Sequence, residues 1–308
     1  MLNDAEKERS SGPPRWGQER RLEFIDFRLR WDRTINRSEL VRFFNISKQQ
    51  ASADLALYDR IAPRNIEYDK RLKTYKISAQ YKPHFSAYDA QNYLKELEAL
   101  SSGVLASTGS FIGWVPPNDV VRYPVRPVTA ERFLPVLWAI RDKCELQVTY
   151  QSMRRPKPTA RWIAPHALGF DGHRWHARAW CSESAEFRDF VLSRIQGVHL
   201  TREATISSES DFAWHAFIDV IVKARAGLTD GQRRAIEADF GMVGGELRLN
   251  CRKALAFYLV RQLQLDRLPD QTPAAQPLEL ANRDELAEII SAAQKNSESS
   301  QVTPRQKE

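Results

Sequence analysis

The sequence predicts an α+β protein built from several domains. Helical periodicity recurs through the first 143 residues, short strands follow from Cys144, and strands alternate with helices after Ile206. A chain of 308 residues with 42% hydrophobic content can bury two or three ordinary cores. Both ends are polar, so we expect disorder at residues 1–15 and 291–308.

Three helices are predicted near the N-terminus. The first, Gln18–Asp32, carries two adjacent apolar stripes, and so wide an apolar face must pack against other elements. The second is Arg37–Phe44. After the turn Asn45-Ile46, Ser47 is a good N-cap for a third helix, which ends before Pro63.

A basic hairpin follows the third helix. Two extended runs, Asn65–Tyr68 and Thr74–Ile77, flank the turn Asp69–Lys73. Residues 1–82 contain 18 Lys and Arg against 12 Asp and Glu, a net of +6, whereas the remaining residues contain 28 against 27, a net of +1. Three helices and a basic hairpin predict a winged helix-turn-helix at residues 16–82, and the charge favours a polyanionic partner.

The third helix carries side chains suited to the DNA major groove. Ala51, Leu55 and Tyr58 are spaced to face the core, so Gln49 and Ser52 lie on the opposite face. Amide side chains can pair with adenine, a serine can reach a base edge or a phosphate, and cations contact phosphates. The predicted DNA-binding residues are Arg37, Ser47, Lys48, Gln49, Gln50, Ser52, Lys70, Arg71 and Lys73. The alternative is an ordinary helical subdomain with a solvated polar face.

Residues 83–143 are predicted to hold linker and dimerisation helices. One helix contains Tyr88 and Leu100, a Gly- and Pro-containing linker spans 103–128, and a second helix is Glu131–Asp142. Residues 144–205 are predicted to form a small, strongly bent sheet or barrel. Its expected strands are Glu145–Tyr150, Arg161–Leu168, Arg174–Cys181 and Arg188–Leu192.

The last unit, residues 206–290, is predicted to be a C-terminal α/β extension. Its expected elements are a strand at Phe217–Ala224, a helix at Asp230–Phe240, a strand at Glu246–Leu249 and a helix at Ala254–Leu265.

One face of the predicted sheet suits a nucleotide or another phosphate-bearing ligand. Arg pairs with phosphate, and aromatic rings stack on bases. The candidate ligand-binding residues are Tyr150, Ser152, His166, Trp175, His176, Arg178, Arg188 and Arg194. The alternative is that Trp175 and Tyr150 belong to the core while the arginines form a solvated rim.

Enzyme and membrane classes receive no support from the sequence. Cys144, Cys181 and Cys251 lie far apart, which disfavours a zinc site or a disulfide framework and fits a reducing cytosol. Neither a nucleophile elbow nor a phosphate-binding glycine loop is present, and the histidines lack metal-ligand spacing. We therefore expect no cofactor, no metal, no membrane span and a cytoplasmic location.

The residues of the predicted sheet resemble a WYL domain. The resemblance rests on Gln147–Tyr150, Arg161–His166, Arg174–Ala179 and Arg188–Ile195, although the Trp-Tyr-Leu run reads Trp175-His176-Ala177 here. It implies an Sm-like or SH3-like bent β-barrel. The order of units also resembles WYL-type bacterial transcription factors, which join a winged helix-turn-helix, linker helices, a WYL domain and a C-terminal extension called WCX. The resemblance implies that residues 206–290 are this WCX extension and serve as a dimerisation domain.

The resemblance implies a homodimeric regulator, usually a repressor, that binds an inverted-repeat operator in double-stranded DNA. Its WYL domain would sense a single-stranded nucleic acid or a nucleotide-like effector. Around Trp114–Arg126 and Trp175–Trp180 the chain looks most like regulators encoded beside BREX and CBASS anti-phage defence systems. A transcriptional activator, a nucleic-acid-processing enzyme and a structural adaptor remain alternatives.

Overall fold

Eight helices and eleven strands form the described part of the chain in this computed structural model, which covers residues 16–85, 89–122, 124, 126–266 and 272–291. The chain divides into two compact units, residues 1–123 and residues 124–308. Of the segments predicted to be disordered, residues 1–15 and 292–308 lie outside the described residues, as does Tyr88, whereas Ser291 is helical.

The first unit begins with a three-helix core and a small antiparallel sheet. Its elements are α1 (Trp16–Asp32), β1 (Thr34–Ile35), α2 (Arg37–Phe44), α3 (Lys48–Ile61), β2 (Ile66–Asp69) and β3 (Thr74–Ile77). The sheet has the order β1-β3-β2. Both apolar stripes of α1 are covered, because Leu22, Phe24, Ile25, Phe27 and Leu29 are all buried. The predicted helices and the wing hairpin are confirmed.

Part of the predicted linker belongs to this core. After α4 (Ala90–Ser101), the chain returns to α1 and buries Phe111 and Ile112 against it. Asp32 Oδ2 and Oδ1 accept hydrogen bonds from Gly113 N at 3.1 Å and Trp114 N at 3.3 Å. The prediction of a plain linker over 103–128 is therefore wrong for residues 110–114, because two apolar side chains there complete the aromatic core.

The second unit begins with a helix and a five-stranded antiparallel sheet. Its elements are α5 (Ala130–Asp142), β4 (Cys144–Tyr150), β5 (Thr159–Phe170), β6 (Trp175–Cys181), β7 (Glu186–Val191) and β8 (Ile195–Glu203). The strand order is β7-β6-β5-β4-β8, with register shifts in β4 and between Pro165 and Ala167 of β5. Val136 and Ala139 of α5 pack on one face of the sheet. Among the described strands β7 and β8 do not pair with each other, so the predicted barrel is not confirmed.

The C-terminal part of the second unit packs helices on a three-stranded sheet of order β10-β9-β11. Its elements are α6 (Phe212–His215), β9 (Phe217–Ala224), α7 (Asp230–Asp239), β10 (Glu246–Arg252), α8 (Lys253–Gln262) and β11 (Leu278–Leu280). Thr229 and Gln232 form a reciprocal capping box at the start of α7. No helix among the described residues is long and apolar enough to span a bilayer.

Candidate nucleic-acid interface and ligand site

The turn between α2 and α3 depends on Asn45 and Ser47. Asn45 has φ 52°, a left-handed conformation that asparagine tolerates better than most residues. Ser47 Oγ accepts a hydrogen bond from Gln50 N at 3.1 Å and so satisfies a free donor at the start of α3. The predicted turn and N-cap are confirmed.

Helix α3 has one buried side and one open side. Ala51, Leu55 and Tyr58 are at most 1% exposed, which is the inward face that the spacing predicts. On the opposite side Ser52 is half-buried, and four side chains are exposed: Lys48, Gln49, Ala53 and Ala56. The side of α3 that is predicted to meet DNA is therefore accessible in this unit.

Gln50 is held by neighbours that the sequence analysis missed. Its Nε2 donates a hydrogen bond of 3.0 Å to Asp54 Oδ1. Asp54 is fully buried and also accepts hydrogen bonds from Arg21 Nε at 2.6 Å and Arg21 Nη2 at 3.2 Å. Gln50 is thus tied to the α1 side of the helix. The sequence does contain a signal for this buried ion pair, because Asp54 interrupts the apolar Ala51–Leu55 stripe.

Arg37 lies against the outer side of α3. Its Nη1 donates a hydrogen bond of 2.9 Å to Ser52 Oγ, and that hydroxyl donates to Lys48 O, also at 2.9 Å. The first residue of α2 and the middle of α3 therefore share one exposed polar group. Arg37 and Ser52, predicted separately from the sequence, are brought together.

The tip of the wing is shaped by Asp69. Its Oδ1 accepts hydrogen bonds of 2.9 Å from the backbone N–H groups of residues 71–72, and its Oδ2 pairs with Lys76 Nζ at 2.5 Å. The hydrogen bond from Lys76 and those backbone bonds lower the pKa of Asp69. With Asp69 engaged in this way, the predicted phosphate-contacting side chains remain exposed: Lys70, Arg71 and Lys73.

The polar face of the five-stranded sheet is covered by the C-terminal part of the same unit. Arg178 on β6 is 8% exposed and lies between two carboxylates. Its Nε and Nη2 donate to Asp211 at 2.7 and 3.0 Å, and its Nη1 donates to Asp189 at 3.3 Å. Burial alone would lower the pKa of Arg178, but these two carboxylates raise it.

His166 joins the same cluster from β5. Its Nε2 lies 2.9 Å from Asp211 Oδ2. Burial lowers the pKa of His166 more than Asp211 raises it, which favours the neutral imidazole. Two predicted ligand residues, His166 and Arg178, are therefore adjacent, and one aspartate that the sequence analysis did not select holds both.

His176 and Trp175 differ in environment although they are neighbours on β6. His176 is buried, and its Nε2 lies 2.9 Å from Asp171 Oδ2. Its ring packs against Tyr258 of α8, with centroids 5.1 Å apart. Trp175 is 52% exposed and packs on Phe170, with centroids 5.0 Å apart. Of the two, only Trp175 presents an open ring.

The remaining predicted ligand residues do not join the cluster. Tyr150 is buried against Phe190, and its hydroxyl accepts a hydrogen bond from Val191 N at 3.2 Å, which favours the core interpretation. Exposed Arg188 pairs with Glu186 two residues away. Ser152 accepts from Arg154 N at 3.1 Å, and Arg194 is half-buried in the 3-10 turn before β8.

The described residues contain no group of three His, Cys, Asp or Glu side chains arranged to hold a metal ion.

Comparison with known proteins follows this domain order. Residues 17–99 match the winged helix-turn-helix domain of the BrxR transcriptional regulator, and residues 131–200 match the WYL domain. Residues 217–286 match the C-terminal dimerization domain of the BrxR transcriptional regulator. The WYL resemblance seen in the sequence is therefore confirmed.

Curated relatives cover nearly the whole chain. The DNA-binding transcriptional repressor CapW of Stenotrophomonas maltophilia is 43% identical over 90% of this chain and 93% of its own length. The proteins of the same name from Escherichia coli (strain KTE188) and Pseudomonas aeruginosa are each 42% identical. They cover 93% and 90% of this chain, and 96% and 93% of their own lengths. The chain belongs to the BrxR/CapW family of WYL-domain transcriptional regulators.

One solved structure is a distant match. Proteasome accessory factor B/C of Arthrobacter aurescens is 16% identical, covers 94% of this chain and 51% of that one, and has a TM-score of 0.25. A score this low carries no argument about the fold of this BrxR/CapW member.

Proposed function

We propose that this protein is a cytoplasmic, DNA-binding transcriptional repressor that acts as a homodimer on an inverted-repeat operator. The proposal rests chiefly on one observation: the Gln49 side of α3 is exposed, and the wing that follows α3 in the same unit carries exposed cations at its tip. The relatives named as DNA-binding transcriptional repressors support the same conclusion. The match to a dimerization domain supports the homodimer.

The contacts within the first unit suggest that some side chains would contact base edges and others would contact phosphates. Gln49 and the Arg37–Ser52 pair lie on the open side of α3 and would face base edges. Lys48 and the wing cations Lys70, Arg71 and Lys73 would contact phosphates, which fix the position of the protein without reading sequence. Gln50, held by Asp54, would act mainly by keeping the start of α3 in place.

The sheet of the second unit would sense the effector. A nucleic-acid fragment or nucleotide-like ligand would place a phosphate near Arg178 and His166. Binding would release the operator and so relieve repression of a phage-defence operon. A coupling of roughly 1–3 kcal/mol between the two sites is enough for such control.

The DNA assignment is tested by comparing two kinds of variant on the intergenic DNA upstream of the gene. Gln49→Ala should reduce discrimination between operator and random DNA by about 1–3 kcal/mol, because a paired base contact is lost. Lys70→Ala and Arg71→Ala should each weaken binding to both DNAs and lower the slope of log K against log salt by about 0.9. Fluorescence anisotropy at several salt concentrations measures both quantities.

A matched control is Lys95→Ala, which removes an exposed lysine of α4. It should leave both the discrimination and the slope unchanged. If Gln49→Ala and the wing variants behave like this control, the winged helix does not bind DNA through this surface.

A further inference from the structure

The carboxylate of Asp211 is held by four hydrogen-bond donors. Arg178 donates to it through Nε and Nη2, one bond to each oxygen, and His166 Nε2 lies 2.9 Å from Oδ2. Trp214 N adds a fourth contact at 3.2 Å to Oδ1. A paired Arg–oxyanion contact with converging neutral donors is the pattern in which proteins bind phosphate. Asp211 itself is 1% exposed.

The same contacts connect the sheet to the C-terminal part of the unit. Asp211 is the N-cap of α6, which leads directly into β9. Asp189, the second partner of Arg178, accepts a hydrogen bond from Tyr258 of α8 at 2.9 Å. Displacing Asp211 from Arg178 would therefore disturb the beginning of the region that matches a dimerization domain.

Stabilisation of the fold does not by itself explain why these charged side chains are buried together. A buried ion pair is often no more stabilising than apolar side chains of the same size, because two charges must be desolvated. A groove of about 690 Å³ reaches His166 from the surface and is lined by Phe187 and residues 203–209. A ligand entering there would meet His166 first and Arg178 behind it.

We propose that Arg178 and His166 form a phosphate-binding site that Asp211 fills in the resting protein, and that a phosphate-bearing effector displaces Asp211. This inference rests on the proposed effector response and names its switch. A phosphate group carries as much charge as a carboxylate or more, and it brings additional acceptor oxygens. Asp211 competes as an internal ligand, so the observed affinity for effector is reduced by the fraction of time the site is open.

The test measures binding of a fluorescein-labelled hexathymidylate to the full-length protein by anisotropy, with unlabelled hexathymidylate and thymidine as competitors. Asp211→Asn and Asp211→Ala should bind the probe more tightly, by about tenfold if the site is open a tenth of the time. Arg178→Ala should lose the binding. Thymidine, which lacks phosphate, should not compete.

Glu246→Gln is the matched control, because Glu246 also pairs with an arginine, Arg248, but lies on β10 and does not line the groove. Its probe affinity should equal that of the unchanged protein. Thermal unfolding identifies any variant that fails to fold, and Asp211→Asn keeps the shape of the side chain if Asp211→Ala does not fold.

Two outcomes would overturn the inference. One is a folded Asp211→Asn protein that binds the probe no more tightly than the unchanged protein does. The other is equal binding by Arg178→Ala. Operator affinity, measured on the same preparations, separates these results from failure of the proposed function. If the unchanged protein binds its operator specifically but the Asp211 variants bind the probe no more tightly, only the switch is refuted. If the unchanged protein does not distinguish its operator from random DNA, the repressor assignment is refuted.

Discussion

The carboxylate of Asp26 fixes α3 in place from inside the first unit. This buried side chain accepts hydrogen bonds from the Tyr58 and Tyr81 hydroxyls and from the backbone N–H groups of His84 and Phe85. Burial, together with Asp26, raises the pKa of both tyrosines, so their hydroxyls remain donors at neutral pH. One carboxylate thereby joins α1, α3 and the segment after the wing.

Replacing Asp26 by Asn should destabilise the first unit by about 2–4 kcal/mol, because an amide offers one acceptor where several donors converge. Urea unfolding followed by the tryptophan fluorescence measures the change. Asp59→Asn is the control, since Asp59 is exposed on α3 and should alter stability by less than about 0.5 kcal/mol. Equal stability of both variants would show that the Asp26 cluster contributes little.

At the scale of elements, the β5–β6 turn is held by one aspartate. Asp171 Oδ1 accepts hydrogen bonds from His173 N at 2.9 Å and Arg174 N at 2.6 Å, while its Oδ2 lies 2.8 Å from Arg174 Nε and 2.9 Å from His176 Nε2. Burial alone would raise the pKa of Asp171, but these four contacts hold it well below its ordinary value. The turn is therefore most stable when Asp171 is ionised.

Because the folded pKa of Asp171 is depressed, its stabilisation is complete above the ordinary value of 3.8 and is lost as pH falls toward the folded pKa. Asp171→Asn should lower the free energy of unfolding by about 2 kcal/mol at pH 7. At pH 3 the difference in the free energy of unfolding between this variant and the unchanged protein should be smaller by about 1 kcal/mol. Denaturant unfolding at both pH values measures this. A gap that stays constant with pH would contradict the role of the charge.

The elements that the sequence predicted correctly are those whose pattern is local. Helix α3 shows its inward spacing and its Ser47 cap within fourteen residues, and both are confirmed. Strands β1 and β11 were missed because two or three residues carry no readable alternation. Their pairing with β3 and β9 is set by partners distant in sequence.

The polar clusters of the candidate sites were only half predictable. Arg178 and His166 were selected because their residue types suit phosphate. Their partner Asp211 lies 33 residues beyond Arg178, a separation that periodicity cannot reveal. Asp26 and Asp54 each interrupt an apolar stripe of a helix, which is a local sign of a buried partner. The identity of that partner still requires the folded chain.

For the whole molecule, the proposed homodimer implies a geometric requirement on the operator. One α3 from each protomer would enter the major groove, so the two half-sites must lie on the same side of the duplex, about one or more helical turns apart. The C-terminal region that matches a dimerization domain would join the protomers and make the second contact effectively intramolecular. Operator affinity should then depend on half-site spacing as well as on half-site sequence.

Inserting about five base pairs, half a helical turn, between the half-sites should reduce affinity at least about tenfold, because the second α3 would face the wrong side of the DNA. Replacing the same number of spacer base pairs without changing the length is the control and should have little effect. Anisotropy titrations on the three operators measure the difference. Equal affinity for the lengthened operator would mean that each protomer binds on its own, and the dimeric mode of repression would have to be abandoned.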